Sequence, residues 1–417
     1  MIQIIRGFKD ILPGESELWQ HIEAKARSLF EDFGFKEIRI PILEKTELFA
    51  RSIGEDTDIV EKEMYTFEDR KGEKITLRPE ATASIVRSLI QHGLYTKSPV
   101  QKLYTIGPMF RRERPQKGRY RQFYQINAEI FGAGSALADA ELVFILMTLF
   151  SRLSIRKTEA HINSLGCMEC RPSYKEALNS HLEKVFPMLC SDCLRRKHRN
   201  PLRVLDCKVP SCRLAMADAP AMVDFLCDEC RMHFEEVKEA LYLLGIPFIL
   251  DRNLVRGLDY YTRTTFEIQT SSLGAQNAVA GGGRYDGLVQ ALGGPRIPAT
   301  GFAIGFDRLI EISELNGESF EKFPHLYIAA LGKKSRMKAF ELKCELGEKG
   351  IRAEMEQGEK GLKAQMKQAD RLNAGFVIIM GDDELSSGSV VLKDMKTSTQ
   401  EKIPIENITK TVMSRYS

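Results

Sequence analysis

Residues 110–131 read FRRERPQKGRYRQFYQINAEIF and constrain the chain more than any other stretch. Six basic residues (Arg111, Arg112, Arg114, Lys117, Arg119 and Arg121) and one acid, Glu113, fall between positions 111 and 121. Pro115 and Gly118 supply turn chemistry inside that run. On one side, LYTIGPMF (103–110) is apolar and β-prone; on the other, Phe123, Gln125, Asn127, Glu129 and Phe131 recur at every second position. The pattern predicts strand, basic loop, strand, an antiparallel hairpin. Alternation puts Gln125, Asn127 and Glu129 on one face, and a sheet face carrying an amide pair and an acid is not a simple core face. Arginine where a hairpin opens suits a polyphosphate, because guanidinium is planar, permanently charged and bidentate. Taken by itself, a basic run is more often a solvated loop.

The length, 417 residues, allows two or three domains. Net charge is only +3, from 60 basic and 57 acidic residues, so nucleic-acid binding has to come from local patches. The longest apolar run, LVFILMTLF at 142–150, is too short for a bilayer and predicts a buried helix. The opening MIQIIRGFKD lacks an apolar core followed by a small-residue cleavage site. No export signal and no membrane partner are expected, and the chain is expected in the cytoplasm.

Residues 15–33 predict an amphipathic helix with Leu18, Ile22, Leu29 and Phe33 on its apolar stripe, ended by Gly34. FKEIRIPILE (35–44) then predicts a strand in which Pro41 forces an edge or a break. A hairpin is expected over 64–77, leading through TLRPEATA (76–83) into a helix at 84–92. Glu80 and Thr82 would stand at that strand-to-helix junction, where an acid ordinarily favours the helix N-terminus. A largely apolar helix is expected over 135–151, and AHINSLG (160–166) predicts a short strand and a turn.

Eight of the nine cysteines then occur as Cys167/Cys170, Cys190/Cys193, Cys207/Cys212 and Cys227/Cys230. Three of these pairs are C-x-x-C, and two such turns complete a tetrahedral four-thiolate zinc site. Eight ligands suit two such sites, of a structural kind since no histidine or open position accompanies them. Oxidised pairs, free thiols and an iron–sulfur cluster are the alternatives. If the segment leaves and rejoins one domain, its ends are close, which joins Cys167/Cys170 with Cys227/Cys230 and Cys190/Cys193 with Cys207/Cys212. The basic LRRKHRNPLR (194–203) suits either RNA or a solvated helix face.

Further on, LVRGLDYYTRTTFEI (254–268) clusters Arg256, Tyr260 and Tyr261 around Gly257 before an alternating strand. AVAGGGRYDGL (278–288) carries three glycines, which let a backbone approach a ligand closely. ATGFAIGFDRLIE (299–311) predicts a glycine-rich strand and a helix starting near Asp307. After a polar linker at 316–324, HLYIAAL, a helix (335–348), IRAEME, a second helix (362–372), GFVIIMG and SVVLKDM predict a small α/β domain.

Several of these stretches resemble one family. F-R-x-E, a loop, R-x-F-x-Q and a glutamate resemble motif 2 of class II aminoacyl-tRNA synthetases, and RRERPQKGRYRQFYQ is similar to histidyl-tRNA synthetases. The helix and proline-ended strand at 15–44 resemble motif 1, LVRGLDYYTRTTFEI and AVAGGGRYDGL the two histidine signatures, and ATGFAIGFDRLIE motif 3. GLKAQMKQADRLNAGFVIIMG (361–381) resembles the family's anticodon-binding domain, so the likeness spans the chain.

That resemblance implies an α+β fold. An antiparallel-sheet catalytic domain would run over 1–166 and 236–320, interrupted by a cysteine-rich insertion at 167–235 and followed by an anticodon-binding α/β domain at 324–417. It implies a homodimer that activates histidine with ATP and magnesium and transfers it to histidine tRNA. Glu80 and Thr82 would hold the histidine ammonium, and Gln125, Glu129, Tyr260, Tyr261 and Tyr285 would line its pocket. Arg256 and Arg111 would serve the chemistry, and Arg111 and Arg308 would bind ATP. Asp307 departs from the glutamate more usual there, and the metal-type cysteines lie outside the general family pattern. The rival reading is the family's non-catalytic paralogue, a regulatory subunit of ATP phosphoribosyltransferase, which lacks the C-terminal domain.

Overall fold

The computed structural model describes the chain except for residues 55–56, 116–117, 272–276, 314–319 and 417 and the side chain of Tyr416. Lys117 of the basic run and positions 316–319 of the expected linker lie outside the described residues. The chain divides into two units, Met1–Ser319 and Phe320–Ser417.

In the first unit, helix α1 (Glu15–Asp32) buries Leu18, Trp19, Ile22, Ala26, Leu29 and Phe30 along one stripe. Glu17 accepts the Gly14 N–H at 2.6 Å, satisfying a donor ahead of the first turn. Gly34 leaves the helix at φ +79°, a conformation glycine adopts without a Cβ clash. The strand expected at 35–44 is split into β1 (Lys36–Glu37) and β2 (Leu43–Lys45), with Pro41 in the gap. Helix α2 (Thr46–Ile53) follows, and strands β3 (Tyr65–Glu68) and β4 (Lys74–Leu77) join β2 in a small antiparallel sheet. Helix α3 (Thr82–Gln91) then leads into the main sheet.

The main sheet begins with β5 (Gln101–Phe110) and β6 (Gln122–Phe131), an antiparallel pair in register from Gln101 opposite Phe131 to Phe110 opposite Gln122. Helix α4 (Ala136–Arg152) is apolar on most sides and is capped by Ser135, which accepts the Leu137 N–H. After β7 (Thr158–Ser164) come the insertion helices α5 (Arg171–Lys184), α6 (Ser191–Arg199), α7 (Pro210–Ala215) and α8 (Asp228–Leu243). Strands β8 (Phe248–Leu250), β9 (Thr262–Thr270) and β10 (Ala278–Arg284) return to the sheet. Helix α9 (Leu288–Ala291), strand β11 (Ala299–Gly305) and helix α10 (Phe306–Ile312) complete the unit. The strand order is β1-β5-β6-β11-β10-β9-β7-β8. Its six central strands are antiparallel, and the short edge strands β1 and β8 pair parallel.

One buried network ties three of these elements together. Arg284 at the end of β10 is fully buried and grips Asp139 of α4 through Nη2 at 2.9 Å and Nε at 3.2 Å. Its remaining donors reach the carbonyls of Ala133 and Ser135 and the carboxylate of Asp286. His233 Nε2 of α8 lies 2.8 Å from Asp139 Oδ2, the oxygen that Arg284 Nε also reaches. Burial pushes the Asp139 carboxyl up, but His233 and Arg284 outweigh it and hold it below the usual range.

The second unit is a five-stranded sheet in the order β13-β12-β14-β15-β16. It comprises β12 (Leu326–Leu331), α11 (Lys333–Glu348), β13 (Ala353–Met355), α12 (Leu362–Arg371), β14 (Phe376–Gly381), α13 (Asp382–Ser387), β15 (Ser389–Asp394), β16 (Gln400–Pro404) and α14 (Ile408–Tyr416). The last strand and the last two helices carry too little apolar periodicity to be read from sequence. Buried Gln365 of α12 accepts the Ala330 N–H and donates to the Ala330 carbonyl, fastening that helix to β12. Among the described residues no helix is long and apolar enough to cross a membrane.

Removing one partner of a buried ion pair strands the other, at a cost of about 3–5 kcal/mol. Arg284→Met should therefore lower the unfolding free energy of the full chain by about that amount, read from urea denaturation followed by circular dichroism.

Candidate active site

The register of the central strands builds a trough. One row across the sheet runs Asn127 (β6), Ala303 (β11), Gly281 (β10), Glu267 (β9). The next runs Glu129, Gly301, Gly283, Thr265. Polar side chains stand on the outer strands, and the two inner strands contribute only glycine and alanine. The missing side chains are needed: a Cβ on Gly301 would fall 1.5 Å from Glu129 Oε2, and one on Gly281 would fall 2.3 Å from Arg256 Nη1. The glycine triplet expected to admit a ligand thus mainly admits neighbouring protein atoms, and of the three only Gly281 reaches the cavity lining.

Above the trough lies a cavity of about 240 Å³. Glu80 and Thr82 reach it from the start of α3, and Arg111 from the end of β5. Gln125 rises from the floor on β6, while Arg256, Tyr260 and Tyr261 come from the segment before β9 and Arg308 from α10. Glu129 and Tyr285 do not line it. They lie behind it, each about 1% exposed. Tyr285 donates its hydroxyl to Glu129 Oε2, and Thr82 donates to Glu129 Oε1 at 2.7 Å.

Arg111, Arg119, Arg256 and Arg308 line the cavity, with Glu113 beside Arg119 and Glu267 beside Arg256. Arg111 donates Nε to the Pro79 carbonyl at 2.9 Å and stands over the Phe123 ring. Arg308 donates to the Ala278 carbonyl at 2.7 Å. Arg256 pairs with Glu267 and stands over the Tyr261 ring. Burial works against its charge, but Glu267, Tyr261 and Tyr260 together outweigh it, so its pKa is raised.

On the α3 side, Glu80 accepts the N–H groups of Thr82 at 2.7 Å and Ala83 at 2.9 Å, holding the first turn of that helix. Those bonds use one lone pair of each oxygen and leave the second of each available. Burial raises the Glu80 pKa against those donors. Burial also pushes Glu129 up to about 8, with Tyr285 and Thr82 opposing and Glu80 adding to the rise. Tyr260, Tyr261 and Tyr285 form an aromatic cluster with ring centroids 4.7–6.4 Å apart, and burial keeps their phenols neutral.

Two groups here, Asn127 and Glu267, were given no role from the sequence. Asn127 is buried with neither amide atom bonded to protein, and Gln125 Oε1 and Arg256 Nε are in the same condition. Buried polar atoms without partners are costly unless a ligand or water meets them. Glu267 was visible as a period-two partner of Thr265, but nothing local shows that it faces Arg256. Asp307 accepts the Tyr124 N–H at 2.9 Å, joining α10 to β6.

The eight paired cysteines form two groups, Cys167/Cys170/Cys227/Cys230 and Cys190/Cys193/Cys207/Cys212, with sulfurs within 4.8 Å of one another in each. The basic run at 194–203 is largely taken up inside the unit. Arg196 pairs with Asp58, Arg199 with Glu61 and Lys197 with Glu183, and Arg203 donates to the Arg256 carbonyl at 3.0 Å.

Comparison with known proteins agrees with this arrangement. Residues 7–309 match the family described as Histidyl-tRNA synthetase, and residues 325–415 match the Anticodon binding domain. The chain is 60% identical to the histidine–tRNA ligase of Desulfosudis oleivorans, covering 98% of this chain and 97% of that one. It is 53% identical to that of Geobacter sulfurreducens, covering 97% and 98%. Among solved structures, apo S. aureus histidyl-tRNA synthetase superposes with a TM-score of 0.84 at 39% identity, covering 99% of this chain and all of that one. With a family match over most of the chain and relatives aligned nearly end to end, the chain belongs to the histidyl-tRNA synthetase family.

Proposed function

We propose that this chain is a histidine–tRNA ligase and that the cavity above the glycine trough is where histidine and ATP react. The observation that carries the reading is the make-up of one cavity: Arg111, Arg256 and Arg308 line it together with buried Glu80, Thr82 and the Tyr260–Tyr261 pair, and Glu129 and Tyr285 lie directly behind it. A carboxylate oxygen of histidine attacks the α-phosphorus of ATP, the bond to the bridging oxygen breaks, and pyrophosphate leaves. The resulting adenylate yields its histidyl group to the terminal ribose of the tRNA. The barrier is electrostatic, because an anion approaches a phosphorus already ringed by anionic oxygens. Arg256 neutralises charge at the α-phosphoryl and the amino-acid carboxylate, Arg111 assists there, and Arg308 holds the far phosphates. Glu113 lines the cavity beside Arg119 and, with phosphate oxygens, suits magnesium, which supplies further charge neutralisation.

Glu80 and Thr82 take the histidine ammonium. Gln125, Tyr260 and Tyr261 border the ring, and Glu129 and Tyr285 back it through Thr82, favouring a substrate that bears N–H groups over apolar analogues. The second unit, matched by the anticodon-binding family, contacts the far end of the tRNA. A homodimer is supported by exposed Ile42, Leu43 and Phe67 around the small sheet. We assign the enzyme to the cytoplasm, where its substrates are.

ATP–pyrophosphate exchange without tRNA, run against twenty amino acids, should proceed with histidine alone. No exchange with any of them would overturn the reading in favour of the regulatory paralogue. Arg256→Ala should lose exchange by about 10³-fold while its circular dichroism stays that of the parent; near-normal exchange would refute the role.

Glu129 supplies a pH signature. Its folded-state pKa lies above the unfolded value, so the folded chain keeps a proton that the unfolded chain has released. The stability this contributes is fully present below the ordinary carboxylate range and is lost as pH rises through about 8. Glu129→Gln should flatten that decline in a series of urea denaturations across the range, and should raise the KM for histidine by about 10- to 100-fold.

A further inference from the structure

We propose that the insertion holds two four-thiolate zinc ions, one per cysteine group, and that the first ion fixes the backbone of the histidine pocket. A tetrahedral ion with Zn–S bonds of about 2.3 Å places its sulfurs about 3.8 Å apart. Cys167 Sγ lies 3.6 Å from Cys170 Sγ and 3.9 Å from Cys227 Sγ, and Cys190 Sγ lies 3.9 Å from Cys207 Sγ. The sulfurs of each group lie within 4.8 Å of one another, as one central ion requires; disulfides would draw them together two by two, and a four-iron cluster would spread them further. Backbone N–H groups also point at sulfur, Cys227 N–H at Cys170 Sγ (3.2 Å) and Cys190 N–H at Cys212 Sγ (3.1 Å). Such bonds stabilise a thiolate as they do any anion. The insertion needs the ions, because its own core mixes these cysteines with a modest apolar set around Tyr174, Leu178 and Leu182.

The first group sits where the insertion leaves and rejoins the sheet, and the residues between and beside its ligands grip the pocket strand. Arg171, next to Cys170, donates to the Tyr261 carbonyl. Glu229, between Cys227 and Cys230, pairs with Arg263. Gly166, next to Cys167, accepts the Arg263 N–H at 2.9 Å. Tyr261 and Arg263 therefore inherit their position from the metal turns. The second group frames α6, whose Arg196 and Arg199 dock on Asp58 and Glu61.

The metal part stands independently of the catalytic reading; the kinetic part rests on it. Elemental analysis of natively purified full chain should find two zinc ions per chain, and X-ray absorption should show sulfur-only coordination at about 2.3 Å. Fewer than two metal ions with thiols that titrate freely in the folded protein, or iron in place of zinc, would overturn the sites. Cys170→Ser should retain one zinc. Arg171→Ala should retain both, yet raise the KM for histidine about tenfold with the KM for ATP within about twofold, the scale of one or two lost hydrogen bonds. An unchanged KM for histidine in Arg171→Ala, or equal changes in both KM values, would overturn the clamp. A parent protein carrying two zinc ions but failing to activate histidine would sink the pocket assignment and leave the zinc sites standing.

Discussion

A carboxyl group at the bottom of the catalytic sheet sets the terms for what surrounds it. Glu129 is about 1% exposed, and its hydrogen bonds come from the hydroxyls of Thr82 and Tyr285. It can lie there only because Gly301, directly opposite on β11, has no side chain to displace it. The same rule repeats one strand over, where Gly281 leaves room for the Arg256 guanidinium. Glycine in the interior of a strand costs backbone entropy and forfeits packing. Here that cost is offset by letting large polar side chains lie flat across two strands, which gives a polar trough in a sheet otherwise buried by apolar residues.

Around the trough, rigidity comes from connections between segments distant in sequence. The Arg284–Asp139–His233 network joins a sheet strand, the long apolar helix and the last insertion helix through polar groups, an ion pair among them, that are almost wholly buried. Such a network specifies one arrangement, because any slip strands a charge. The insertion is bound into the same unit. Asn200 reaches Asp259, Arg203 reaches the Arg256 carbonyl and Arg171 reaches the Tyr261 carbonyl, so the segment carrying the cavity's central arginine and tyrosines is held from the insertion side as well as by the sheet. A basic run that composition would leave to solvent or RNA is instead the means of attachment.

Much of the fold was legible because it rests on local patterns. The β5–β6 pair, α1 with its glycine stop, the apolar α4 and the split at Pro41 each follow from spacing within ten to twenty residues. The pairing of cysteines followed from topology alone, since a segment that leaves and rejoins one domain brings its ends together. Among the elements that went unread, β16, α13 and α14 are short and rely on contacts with the rest of their unit rather than on periodicity of their own, and in the first unit α2, α5, α7, α8, β8 and α9 also went unread.

By itself the sequence determined which residue types were present in which element: arginines where a hairpin opens, an amide pair and an acid on one face of β6, tyrosines before β9, cysteines in turns, glycines in β10 and β11. Strand and helix periods are properties of the local backbone, so these follow without knowledge of the fold. Only the tertiary structure decided which of them meet. Glu129 opposite Gly301, Arg256 against Gly281 and Glu267, and Arg171 under Tyr261 depend on the register and order of strands far apart in the chain. The physical reason is that hydrogen-bonded register places every side chain of a sheet at once, so a one-residue slip would turn the whole polar row to the other face.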